Sequence, residues 1–136
     1  MAIGTQRANG AERRRHRSAC LADALRLQLE ACREDERLAA IVVADELGFC
    51  VAHSGGDGTH EEIAARLPML ADPVLRRSLH DDDGGGLQAA LAITTFTIAG
   101  ARLHACAVKQ PGAQASPTGA AVLARVASGF TRLLAR

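Results

Sequence analysis

The sequence predicts an α+β domain: an antiparallel sheet of four to five strands, with the N- and C-terminal helices on one face and a middle helix at the other. Three observations carry this prediction. Residues 37–54 set two apolar runs on either side of an acidic-Gly turn, and residues 93–108 set two more around Ala99-Gly100. The stretches before, between and after these hairpins carry apolar residues at helical spacing.

The first helix is read from near Arg14 to Asp35. Leu21, Leu25, Gln28, Leu29 and Cys32 recur on one stripe, while Arg26, Glu30 and Arg33 face elsewhere. Leu38-Ala39-Ala40-Ile41-Val42-Val43-Ala44 follows as a strand that is small or apolar on both faces, the pattern of a central strand covered on both sides. Asp45-Glu46-Leu47-Gly48 supplies the turn, with glycine where a positive φ is needed, and Phe49-Cys50-Val51-Ala52-His53-Ser54 returns. The glycines of Ser54-Gly55-Gly56-Asp57-Gly58 end the sheet. Thr59-His60-Glu61-Glu62 then reads as a capping box that starts a helix just after Thr59.

That helix runs through Ile63, Ala64 and Leu67, and Pro68 is expected to end or kink it. Asp72-Pro73 reads as a fresh N-cap and first helical residue, giving a short helix to about His80. Leu87 to Ile98 is strand-like, Ala99-Gly100 makes a tight turn, and Ala101 to Val108 completes the second hairpin. Lys109 to Ala115 is a Pro/Gly linker. Ser116-Pro117 caps a final helix whose stripe is Val122, Val126, Phe130, Leu133 and Leu134, with Arg125 and Arg132 on its other face.

Composition narrows the function. The chain has 136 residues, the size of one domain, and contains no Trp or Tyr and only three Phe, so its core is built from Leu, Val, Ile and Ala. Little aromatic surface is left to stack bases or wall a ligand pocket. A net charge of +1 argues against a dedicated nucleic-acid binder. No apolar run approaches the ~20 residues of a membrane span, and a cytoplasmic location is expected. Residues 1–12 read as a flexible N-terminal arm and 13–136 as a single domain. The basic block Arg13-Arg14-Arg15-His16-Arg17 reads as solvated, as does Asp81-Asp82-Asp83, which lacks the alternation and distal Glu of a calcium loop.

Cys20, Cys32, Cys50 and Cys106 stand singly inside elements, as reduced, buried thiols do. His104 and Cys106 share a strand face, but Cys50 and His53 fall on opposite faces of a regular strand, and neither pair has finger-like spacing. No metal or cofactor is expected. Gly84-Gly85-Gly86 lacks the Lys-Ser/Thr of a phosphate loop, and no catalytic residue is assigned.

The stretch Ala39 to Ala52, a hydrophobic strand, an acidic-Gly turn and a return strand ending Val-Ala, resembles the roadblock/dynein light chain family in its bacterial branch. So does the Gly-rich bend before Glu61-Glu62-Ile63-Ala64. The resemblance spans about Leu21 to Leu134 and implies a roadblock/profilin-like fold. It also implies a non-enzymatic homodimer or heterodimer whose joined sheets and paired second helices form a platform for a small Ras-like GTPase, another roadblock-type protein or another assembly component, as in the gliding-motility GTPase-activating members. The contact surface expected on that basis is Gly55, Gly56, Asp57, Gly58, Glu61, Glu62, Ala65 and Arg66. Family members usually place a further strand directly after the second helix, whereas here Pro68 to His80 reads as helix followed by a Gly-rich loop, so either Leu87 to Ala92 supplies that strand without an obvious turn or the sheet has only four. The competing readings are a small-ligand sensor of profilin-like fold and a Cys/His metal-binding protein.

Overall fold

The computed structural model describes residues 2–56, 58–72, 91–110 and 118–134. In chain order these form α1 (Ala2–Asp35), β1 (Ala40–Asp45), β2 (Cys50–Gly55), α2 (His60–Leu70), β3 (Leu91–Ile98), β4 (Ala101–Val108) and α3 (Thr118–Leu134). The strands make one antiparallel sheet in the order β2-β1-β4-β3.

β1 is the central strand its composition predicts, with Ala40 through Ala44 all buried. Strand alternation divides its side chains between two cores. Ile41 and Val43 join Leu25, Leu29 and Cys32 of α1 and Val122, Val126 and Phe130 of α3 on one face. Val42 and Ala44 join Ile63, Ala64, Leu67 and Leu70 of α2 on the other. β4 is divided in the same way: Leu103, Ala105 and Ala107 face α1 and α3, while Cys106 faces α2. The alanines of β4 keep its surface low, so Phe130 fits fully buried above it and meets Phe96 edge-on at 6.3 Å and 87°. Truncating a phenylalanine so placed typically costs about 3–5 kcal/mol.

Helix ends depart from the sequence reading in instructive ways. α1 extends N-terminally beyond Arg14 through the stretch read as an arm, so the backbone there is helical. Its other end closes in a Schellman arrangement, with Leu38 N donating to Arg33 O (2.9 Å) and Arg37 N to Glu34 O (3.2 Å). Arg37 takes the left-handed position at φ 53°, where glycine is usual, so no glycine marked this stop. α2 continues past Pro68 to Leu70. The proline forfeits only a bond to Ala64 O near the helix end, and Ala71 N still donates to Leu67 O at 2.8 Å. The expected helix over 73–80, the glycine loop, the start of the strand at 87–90 and the cap at 116–117 lie outside the described residues.

Both hairpin turns follow the sequence. Gly48 has φ +87°, and Ala99 and Gly100 both take positive φ (51° and 82°), the requirement of a two-residue turn matched to strand twist. The β1–β2 pair carries one irregularity: Val43 opposes Ala52 but Ala44 opposes Cys50, leaving Val51 as an extra residue.

Candidate partner-binding surface

α2 is held to the sheet by Ile63, Ala64, Leu67 and Leu70, and this fixes what it shows to solvent. Glu61, Glu62, Ala65 and Arg66, four of the residues expected to make contacts, are all exposed. Glu62 and Arg66 pair across one turn at 3.3 Å. Met69, one turn beyond Ala65 on the same helix, is 44% exposed.

The bend before α2 is set by glycines at positive φ: Gly55 at 75°, Gly56 at 89° and Gly58 at 88°. A Cβ on Gly55 would collide with the carbonyl of Ala39 and the side chain of Arg33, so the backbone here packs too closely for any other residue. Arg33 reaches past that glycine, its Nε donating to Ser54 Oγ at 2.8 Å, and ties the end of β2 to α1. Asp57 lies outside the described residues. The capping box is not formed. Thr59 is in the helical region, its hydroxyl donates backwards to Gly56 O (2.6 Å), and no side chain caps the helix. The Gly-rich bend offered the hydroxyl a nearer acceptor than the Glu62 amide. The helix still starts at His60, with Ile63 N bonded to Thr59 O at 3.0 Å.

Sequence reasoning did not single out three exposed apolar residues of the first hairpin. Leu47 (82% exposed), Phe49 (67%) and Val51 (40%) line the tip of the first hairpin and the bulge beyond it. Leu47 and Phe49 are held firmly: Asp45 Oδ1 accepts from both of their amides, at 2.9 and 3.0 Å, and the Asp45 amide donates to Phe49 O at 3.0 Å. Gly48, between them, lies against the α2 backbone at Ala65. The signal was present as an alternation of large apolar residues through a turn, which is where apolar residues are least expected.

The sulfur and imidazole groups fall differently from expectation. The bulge at Val51 turns Cys50 onto the α2 side of the sheet, where it packs against the same core as Cys106, and His53, opposite Val42, faces that side too. The expectation of opposite faces assumed a regular strand. Even so, among the described residues no group of three or more His, Cys, Asp or Glu side chains is arranged to hold a metal ion. Cys32 and Cys106 are buried as expected, whereas Cys20 is exposed and Cys50 only half-buried. Burial pushes the Cys106 thiol up to about 12, outweighing a backbone hydrogen bond from Val42 that acts the other way. It raises Cys50 as well, with the Glu61 carboxylate adding to the effect. A thiol so shifted is a poor nucleophile at neutral pH. His104 is buried and bonded through Nδ1 to Thr95 Oγ1 at 2.9 Å, and burial lowers its proton affinity.

A groove of about 670 Å³ runs between α1 and α3, lined by Gln28, Cys32, Arg125, Ser128, Gly129 and Arg132. It lies between the helices rather than between helices and sheet, and Arg125 at its wall is paired with Asp35 at 3.2 Å.

Among the described residues, three helices and a four-stranded antiparallel sheet in this order make an α+β fold consistent with a roadblock-like one. The chain is similar in structure to Myxococcus xanthus MglB, with a TM-score of 0.56 over 83% of this chain and 89% of that one, at 9% sequence identity. No family model matches the sequence, and no curated protein is detectably similar to it. Among the described residues no helix is long and apolar enough to cross a membrane.

Proposed function

We propose that this chain is a non-enzymatic, dimeric scaffold that binds a small Ras-like GTPase in the cytoplasm and modulates its nucleotide hydrolysis. The observation that carries the reading is the exposed apolar set Leu47, Phe49 and Val51 on the first hairpin, where Asp45 fixes Leu47 and Phe49 and Gly48 between them rests on the α2 backbone. Apolar anchors fixed before binding lose little entropy when they dock, and they are where binding energy concentrates. The carboxylates and guanidinium of Glu61, Glu62 and Arg66 supply a polar rim. The bend at Gly55, Gly56, Asp57 and Gly58 borders the same surface. In this reading the second copy joins sheet to sheet and second helix to second helix, and residues 1–12 lie outside the domain.

The test is a pull-down from the source cell with the full chain as bait. A Ras-like GTPase is retained by the native protein, and Phe49→Ala and Arg66→Glu each weaken retention, the phenylalanine change by about tenfold or more. Retention untouched by both changes, or capture of no GTPase, contradicts the proposal.

A further inference from the structure

His53, on edge strand β2, and His60, the first residue of α2, stack face to face with ring centroids 3.5 Å apart and planes 1° from parallel. The stack spans the Gly-rich bend and joins the start of the helix to the edge of the sheet. His60 Nδ1 is buried without a hydrogen-bond partner, so the ring is held by stacking rather than by a polar bond at that atom. We propose that this pair is a pH-sensitive clasp, closed while at most one ring is charged and opened when both are protonated, releasing the first turn of α2 from β2.

The surroundings define the sign. From α2 the Glu61 carboxylate faces His53 and favours its charged form, while from β2 itself the neighbouring titratable group on this side is Cys50. β1 contributes only the apolar Ala40, Val42 and Ala44 to this side, and Arg33 of α1 is bound to Ser54 on the other face. Burial and the adjacent His60 lower the proton affinity of His53, and Glu61 offsets only part of this. A group whose folded pKa lies below its ordinary value of 6.5 favours the fold fully above that value. That contribution is then lost as pH falls through the folded pKa. The clasp is therefore shut near neutrality and opens under mild acid. The inference stands apart from the proposed partner, although opening would reshape the bend that borders the partner surface.

Two NMR measurements on the full chain decide it. The first follows the histidine ring signals from pH 7.5 to 5. His60→Phe raises the titration midpoint of His53, whereas an unchanged midpoint overturns the coupling. The second follows hydrogen-exchange protection of the Ile63 amide, corrected for intrinsic rate. Protection falls by about threefold or more between pH 7.5 and 5.5 in the native chain and stays level when both rings are replaced by phenylalanine, which keeps a stack but no charge. Equal loss in both proteins, or none in the native chain, contradicts the clasp. His104 is present in both proteins, so its titration cancels. Should the double variant not fold, His53→Gln replaces it, with Ile63 protection low at every pH as the expected result and native-like behaviour as the contrary one.

Discussion

Gly48 lies against the backbone of Ala65: a Cβ built on the glycine would come within 3.1 Å of Ala65 Cα and 3.2 Å of its carbonyl oxygen. Neither atom can swing aside as a side chain would. This contact seats the tip of the first hairpin on the second helix and makes one surface of Leu47, Phe49 and the outward side of α2.

Gly48→Ala therefore meets two penalties, a φ of +87° that L residues avoid and a backbone neighbour already at the limit of contact. The expected loss of stability is about 1–3 kcal/mol, read as a lower urea midpoint. A variant as stable as the native chain would mean that the tip does not rest on α2.

The reverse change stabilises at Arg37, which holds a left-handed φ of 53° at the end of α1 and is exposed. Arg37→Gly keeps the Schellman bonds to Arg33 and Glu34 and removes the Cβ strain, for an expected gain of about 1 kcal/mol in chemical unfolding. A loss would show that the arginine side chain does more at this turn than close it.

Thiol labelling under native conditions reads the two faces of the sheet. Cys20, exposed on α1, reacts first. Cys50 follows slowly, and Cys106, fully buried with its thiol near 12, stays unlabelled until the protein unfolds. Mass spectrometry of the partly labelled chain reports the order, and early modification of Cys106 would contradict the packing of α2 on β1 and β4.

The parts of this fold that sequence foretold are those governed by neighbours along the chain. Gly48 and Ala99-Gly100 announce their turns because a positive φ has few solutions, and the stripe of Val122, Val126 and Phe130 announces α3 because helical spacing gathers it. Features decided across space were not legible. The extra residue at Val51 shows only when β2 is laid against β1, and it alone moves Cys50 to the α2 side. The Thr59 hydroxyl chose Gly56 O because the bend brought that carbonyl within 2.6 Å, although the sequence favoured Glu62. Glu61, Glu62, Ala65 and Arg66 are exposed because Ile63, Ala64, Leu67 and Leu70 hold the other side of α2 to the sheet. Leu47 and Phe49 carry a local signal, apolar residues in a turn, but whether such residues stay exposed or fold back into the core is decided by packing across space.

The second copy is the most exposed commitment of this account. β3, at the sheet edge, has no strand on its outer side among the described residues, and the platform needs two second helices side by side. Light scattering of the purified chain across micromolar concentrations tests this most directly. Twice the mass of one chain, holding steady on dilution through that range, is the predicted result, and a single-chain mass throughout would contradict it.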